Sequence, residues 1–230
     1  MKSYWEIPGP SAAPKVRCHA FYKYDGSNLR FEWSKKRGWY KYATRRRLFD
    51  HTDEDFGGAI KVFQETYADD LAKVFTSKSF TKTFRGIQQA IVFCEYFGPH
   101  SFAGMHQPED KMELVLFDVV PHKKGFLLPR DFLKHFGHLK VPEVVYEGNF
   151  NRQLVMDVIN GKYPVDEGVV AKGIVLGKKK SPQHGLWMAK IKTRSWMERL
   201  RKKAETVAGL RQTLLENEKE QINQTSDKPL

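Results

Sequence analysis

Residues 23–28 run Lys23-Tyr24-Asp25-Gly26-Ser27-Asn28, a lysine two places ahead of an Asp-Gly pair. Apolar, strand-like residues lie on both sides, Val16 to Tyr22 before and Leu29 to Trp33 after, so the lysine falls where one strand gives way to the next. Two readings compete. Asp-Gly is a strong hairpin signal, which would make Asp25-Gly26 a turn and Lys23 a solvated strand lysine. Alternatively, Lys23 is a nucleophile. A lysine amine, with a reference pKa of about 10.4, attacks at neutral pH only where nearby cations or loss of water favour its neutral form. Lys190 and Lys192 are candidate cations: they alternate in the apolar run Trp187-Met188-Ala189-Lys190-Ile191-Lys192 and so project from one face of a strand.

Bulk composition narrows the choice. The 230 residues, 40% apolar and 13% aromatic, suffice for one large domain with an appendage. With 39 basic and 27 acidic side chains the net charge is +12, which favours a polyanionic partner, nucleic acid first. No apolar run of about 18 residues exists and the N-terminus lacks the apolar stretch of a signal peptide, so the expectation is a soluble, intracellular, cytoplasmic protein. Cys18 and Cys94 sit in apolar, strand-like runs, which suits reduced buried thiols better than a disulfide framework or a zinc site.

Residues 1–15, rich in Pro, Gly and Ser, form an extended lead-in that can pack down through Tyr4, Trp5 and Ile7. Val16 to Thr44 alternates apolar and polar residues around Asp25-Gly26 and Arg37-Gly38, which predicts three strands in a meander. Arg45-Arg46-Arg47 follows, either a solvated charge cluster or guanidinium groups suited to phosphate. The acidic stretch Asp50 to Asp55 with His51 invites a metal-site reading. Helical spacing of Phe56, Ile60, Phe63, Tyr67, Leu71 and Val74 after it favours the simpler one, acids at a helix N-terminus. A short helix is expected over Phe80 to Gln89, then a strand over Ile91 to Gly98, where Glu95 is either an exposed-face residue or a buried carboxylate kept for a task. Met112 to Val120 reads as another strand, while His100, His106 and His122 fall in loops without metal-ligand spacing. Helices are expected from Pro129 to Phe136 and from Arg152 to Asn160. A strand spans Asp166 to Val175, with an internal Lys172, and the basic loop Lys178-Lys179-Lys180 leads to the strand of Lys190 and Lys192. Beyond Thr193, Trp196, Leu200, Ala204, Val207, Leu210 and Leu214 recur at helical spacing with a basic face, and residues from about Glu216 onward look like a polar, disordered tail.

Taken in order, these segments resemble the covalent nucleotidyltransferases, the ATP-dependent ligases and their mRNA-capping relatives. The likeness runs from Lys23 to Lys192. Lys23-Tyr24-Asp25-Gly26 is similar to the nucleophile motif and Phe93-Cys94-Glu95-Tyr96-Phe97-Gly98 to the third motif. Leu116-Phe117-Asp118 is similar to the stretch after that, Glu167-Gly168-Val169-Val170-Ala171-Lys172 to the fourth motif and Lys190-Ile191-Lys192 to the fifth. Ser27-Asn28 after the glycine resembles the RNA ligase branch, phage nick-sealing enzymes included, where DNA ligases and capping enzymes usually carry arginine. Only 22 residues precede Lys23, which points away from NAD-dependent ligases and toward ATP.

The resemblance implies an α+β fold, an ATP-grasp-like nucleotidyltransferase domain of antiparallel sheets flanked by helices over residues 1–193, with a helical appendage and tail at 194–230. It implies that Lys23 attacks the α-phosphate of ATP, that the AMP passes to a 5′-phosphate, and that a 3′-hydroxyl displaces it to join RNA ends. Lys190 and Lys192 would hold the α-phosphate. Glu95 and Glu167 would hold ribose hydroxyls or Mg2+ (or Mn2+), Phe117 would stack on adenine, and Lys172 would set charge around the nucleophile. Tyr22, Asp25, Gly26 and Asn28 would help bind the nucleotide, and Arg45 best fits the family's arginine, with Arg46 and Arg47 close by. Only 38 residues follow Lys192, so grip on RNA, whether nicked duplex or RNA/DNA hybrid, would come from the basic surface, the C-terminal helix or an end-processing protein partner. A small ATP-dependent DNA ligase and a non-catalytic nucleic-acid-binding relative are the alternatives.

Overall fold

A computed structural model describes residues 4–98, 109–175, 185–206 and 214–219. In chain order the strands and helices are β1 (Arg17–Lys23), β2 (Ser27–Ser34), β3 (Gly38–Ala43), β4 (Leu48–Phe49), α1 (Gly57–Phe63), α2 (Asp69–Thr76), α3 (Lys78–Phe84), β5 (Gln89–Phe97), β6 (Glu113–Pro121), α4 (Pro129–Phe136), β7 (Val144–Asn149), α5 (Arg152–Ile159), β8 (Gly168–Ile174), β9 (Leu186–Lys192) and α6 (Arg194–Thr206). The fold is α+β, with two antiparallel sheets and flanking helices. The described residues fall into two compact units, one of residues 4–5, 26–98 and 109–142, the other of the remainder.

The first unit holds the sheet β4-β3-β2-β5-β6. Leu29, Phe31 and Trp33 alternate along β2 and are buried. The Phe31 ring stacks on Phe63 of α1 at 3.9 Å between centroids, and Trp33 lies 5.1 Å from Phe75 of α2. A π-helical turn, Gln64–Ala68, interrupts the long helix that the spacing from Phe56 to Val74 predicts, splitting it into α1 and α2. That turn brings the Tyr67 hydroxyl within 2.8 Å of the Leu114 carbonyl and 2.7 Å of the Lys140 carbonyl. Its backbone shift buys a polar anchor under the sheet. The helix expected to reach Gln89 stops at Phe84, because Arg85 turns left-handed at φ 52° and Gly86 follows at φ 61°.

The second unit holds the sheet β7-β1-β8-β9. One face carries Cys18, Ala20, Val169, Ala171, Ala189 and Ile191, all buried beneath α5. Helix α5 starts at Asn151, whose side chain accepts the Leu154 N–H at 2.8 Å, and lays Leu154, Val155, Val158 and Ile159 on that face. Each such side chain contributes about 1.5–3 kcal/mol on burial.

The three-strand meander over 16–44 is corrected. β1 pairs with β7 and β8, whereas β2 pairs with β3 and β5, so Asp25-Gly26 is no hairpin turn but a crossing between sheets. An Asp-Gly pair supplies the same local freedom either way, and long-range pairing decides. Strand β7, an edge strand, was not foreseen from the sequence. The tail expected from Glu216 is also corrected in part: residues 214–219 are helical and Asn217 is buried. Val207, Leu210, the loop Lys178 to Lys180, His100, His106 and residues 220–230 lie outside the described residues. No helix among the described residues is long and apolar enough to cross a membrane.

Candidate active site

Strand register assembles the lysines of the second unit. Lys23 of β1 pairs with Gly168 of β8, which pairs with Lys192 of β9, so the three lie in one row across the sheet. Two residues along, the row is Phe21, Val170 and Lys190, and two further His19, Lys172 and Met188. Side chains alternate between faces along a strand, so Lys23, Lys172, Lys190 and Lys192 share the face opposite the apolar one under α5. The sequence pattern puts Lys190 and Lys192 on one face, and the register adds Lys23 and Lys172 to it.

Glu167 ties that surface together. It is 3% exposed, and its Oε2 accepts from Lys23 Nζ at 2.5 Å while its Oε1 pairs with Lys192 Nζ at 2.9 Å. Gly168 makes this possible by leaving no side chain between the two amines. It sits at φ +151°, and a Cβ there would run into the Ile191 carbonyl oxygen and lie 2.9 Å from Lys192 Cα. Burial pushes the Glu167 carboxyl pKa up, but the Lys192 and Lys23 charges outweigh it and hold the pKa below the usual value. Lys192, itself buried and packed 3.7 Å from the centre of the Trp196 ring, has its pKa lowered by burial against the pull of Glu167, with Lys23 and Lys190 lowering it further. The repulsion between the lysine charges is reciprocal.

Three backbone ties place Glu167. The Asp166 N–H donates to the Tyr22 hydroxyl at 3.1 Å, so Tyr22, one residue from Lys23, clamps the end of β1 to this segment. Thr193 donates its hydroxyl to the Asp166 carbonyl at 2.6 Å and its N–H to the Glu167 carbonyl at 2.9 Å. The same hydroxyl accepts the Trp196 N–H at 3.2 Å, capping α6, and Arg199 of that helix pairs with the Asp166 carboxylate. Thr193, Trp196, Asp166 and Arg199 were absent from the candidate residues. A threonine directly before a helical pattern was the available signal for the first of them.

Asp25 completes the cluster. It is 8% exposed, and its carboxyl pKa is pushed up to about 7 by burial and by the neighbouring Glu167, against the pull of Trp196, Lys23 and Lys192. The Trp196 indole is near enough to lower that pKa, yet Asp25 Oδ2 and Trp196 Nε1 are both buried without a completed hydrogen bond. Because the folded pKa lies above the unfolded value of about 3.9, the protonated carboxyl favours folding below that value. The benefit is lost as pH rises from about 4 through 7. Asp25→Asn is accordingly expected to raise the melting temperature at pH 8 and to leave it unchanged near pH 4, as thermal melts at the two pH values would show.

The remaining candidates belong to the first unit, whose boundary with the second falls between Asp25 and Gly26. Gly26 packs so closely on β5 that a Cβ would meet the Tyr96 carbonyl oxygen at 2.5 Å. Asn28 stands opposite Glu95 in the β2–β5 ladder, and Glu95 is half-buried. Phe117 occupies a β-bulge: Phe93 pairs with Asp118 and Cys94 with Leu116, leaving Phe117 as the extra residue. A bulge re-aims its side chain, and here both Phe117 and Asp118 turn toward Tyr4. The Tyr4 ring meets Phe117 edge-on at 5.1 Å and its hydroxyl donates to Asp118 Oδ2 at 2.5 Å. Burial raises the Tyr4 hydroxyl pKa well above its usual value and the Asp118 charge raises it further, with smaller opposed influences from Arg45 and Glu95; Arg45 itself is exposed. Arg47 instead pairs with Asp53 and Asp55. Asp53 also accepts the Phe56 N–H at 3.0 Å ahead of α1, so the acidic stretch serves a helix start and an arginine. Among the described residues no group of three or more His, Cys, Asp or Glu is arranged to enclose a metal ion.

No protein-family model and no curated protein matches the chain. Solved structures do. Three are of the Naegleria gruberi RNA ligase: a variant with AMP and manganese, at 13% identity and TM-score 0.60; a variant with ATP and manganese, at 13% and 0.57; and the ligase with pyrophosphate, at 13% and 0.58. The chain has an RNA ligase fold. The alignments cover 85–86% of this chain and 57% of the ligase chains, so it spans a little over half their length. The RNA-ligase-like fold accounts for two antiparallel sheets with flanking helices.

Proposed function

We propose that the protein is an ATP-dependent RNA ligase that joins 3′-hydroxyl and 5′-phosphate ends through AMP carried on Lys23. The observation that carries this reading is the row Lys23, Gly168, Lys192 with both amines on the buried Glu167. A lysine paired only to solvent has no reason to be aligned with a second, buried lysine; a nucleophile that meets a triphosphate does. The Lys23 nitrogen attacks the α-phosphorus, the bond to pyrophosphate breaks, and the amine proton leaves. The 5′-phosphate then takes the AMP from Lys23, and the 3′-hydroxyl displaces AMP to form the phosphodiester. Negative charge gathers on phosphoryl oxygens at each step, and Lys192 with Lys190 supplies the compensating charge.

The ligand assignments are made within each unit. Lys172, buried with its amine 5.3 Å from the Phe21 ring centre, adds charge to the lysine face rather than contacting solvent. Phe117 and Arg45, with Glu95 and Asn28, form the group suited to adenosine. Both Glu167 oxygens are occupied by lysines, and Asp25 Oδ2 beside them is a buried acceptor without a partner. In the second unit that set fits a hydrated Mg2+ or Mn2+ held through water by Asp25 and Glu167 better than a dry cage, and in the first unit Glu95 is a candidate for the same role. When bound, the ion would neutralise phosphate charge. Neighbours solved with ATP, AMP and manganese support the same cofactors.

Asn28, where DNA ligases usually have arginine, favours the nick-sealing RNA ligase branch over the small DNA ligase alternative. Matched nicked duplexes of RNA, DNA and hybrid strands test the choice. Sealing of a nick with RNA on its 3′-hydroxyl side is expected to exceed sealing of the all-DNA nick by tenfold or more, and the reverse preference would assign the DNA ligase. We place the protein in a cell's interior, with RNA as substrate and end-processing left to a protein partner.

A further inference from the structure

The tip of the β2–β3 hairpin carries Lys35, Lys36 and Arg37, all exposed. Beneath it lies a cleft of about 350 Å³ lined by Ser34, Lys36, Arg37, Tyr40, Gln88 and Gln89. The hairpin is fixed to the start of β5: the Lys35 N–H donates to the Gln88 carbonyl at 2.9 Å, and the Arg37 N–H donates to Ser34 Oγ at 3.1 Å. The Arg37 guanidinium sits 5.5 Å from the centre of the Tyr40 ring, which holds it over the cleft. Glu32 accepts from the Tyr40 hydroxyl at 3.5 Å; it is buried, paired with Arg30 at 3.3 Å and not among the lining residues. The lining side chains therefore present two cations, two amides, a hydroxyl and a phenol, and no carboxylate.

We infer that this cleft holds the phosphate backbone of the RNA at a distance from the reacting end. The identity of the polyanion rests on the ligase reading above; the cleft's preference for phosphate does not. Small-molecule sites are mostly apolar, and Tyr40 is the one aromatic wall here. Exposed cations hold a single phosphate weakly, but along a polyanion each contact releases counterions and the contributions add. Position fits as well. Asn28 faces Glu95 at one end of the β2–β5 ladder and Ser34 faces Gln89 at the other. Six residue steps at about 3.3 Å separate them, roughly 20 Å. A strand engaged at the Asn28 end and continuing along the sheet meets the hairpin several nucleotides away.

The test uses the full chain and nicked RNA duplexes with either short arms, ending less than 20 Å from the nick, or long arms. Binding is followed by fluorescence anisotropy across a salt series for wild type and for Lys36→Gln/Arg37→Gln. On long arms the variant is expected to bind about tenfold more weakly at low salt, with a log–log salt slope shallower by about 2. On short arms the two proteins should bind alike, and labelling of Lys23 by ATP should be equal. An unchanged slope on long arms overturns the inference, and so does an equal loss on both duplexes, which would mean a general charge effect. Absence of Lys23 labelling in wild type would sink the ligase reading while leaving the slope comparison able to support or reject the cleft.

Discussion

Glu167→Gln is expected to slow adenylylation of Lys23 by about a hundredfold or more and to destabilise the protein. In the native structure one buried carboxylate fixes two amines, one on each oxygen. A glutamine keeps the size but offers one oxygen acceptor and an amide donor, so one lysine must face N–H groups and both lose the Glu167 charge. Lys192 is the greater loser, being only 8% exposed where Lys23 has 23% of its side chain open to solvent. Removing one partner of a buried ion pair costs on the order of 3–5 kcal/mol. Taking the lower figure, a chain of this length should melt about 6–12 °C lower. Labelling measured well below that melting temperature separates the two effects. A variant that melts early but labels at the native rate would leave Glu167 as a structural residue and remove it from the chemistry.

Gly168→Ala is the second large effect, and it comes from the backbone. Gly168 occupies a conformation that L side chains rarely adopt, at φ +151°, and an added methyl would collide with the Ile191 carbonyl in the neighbouring strand. Neither atom is the flexible end of a side chain, so β8 and β9 must part or shift. The expected cost is about 3 kcal/mol or more, seen as a melting temperature lower by about 6 °C or more. Since Gly168 is the middle member of the row, any shift also changes the spacing of Lys23 and Lys192, and labelling should fall even in the folded fraction. Native stability together with native labelling would show that the row tolerates a side chain there.

Much of this was legible in the sequence, for reasons that differ by residue. Lys190 and Lys192 could be placed on one face because strand alternation is local, and Lys23 could be singled out because it ends an apolar run. The partner strands could not be read. The Asp25-Gly26 pair has the chemistry of a hairpin turn, and only the pairing of β1 with β7 and β8 shows that the chain crosses between sheets. Strand β7 escaped notice because its side chains are mostly exposed or half-buried, which blurs the alternation that marks a strand. The bulge at Phe117 exists only relative to β5, so nothing within Leu116-Phe117-Asp118 announces it. Tyr4 was foreseen as able to pack down, but its hydrogen bond to Asp118 joins residues 114 apart. The metal reading of Asp50 to Asp55 gives way to hydrogen bonds with Arg47, Thr52 and Phe56. Lys172 looked like a charge in a strand; its burial against Phe21 shows that the lysine face is partly dry.

The most direct measurement is to incubate the full chain with a divalent cation and ATP labelled at the α-phosphate, quench it, and map any label that alkali preserves and acid releases. One label per chain on Lys23, absent from Lys23→Ala, is the predicted result. A Lys23→Ala protein that takes up as much label as the wild type would contradict it.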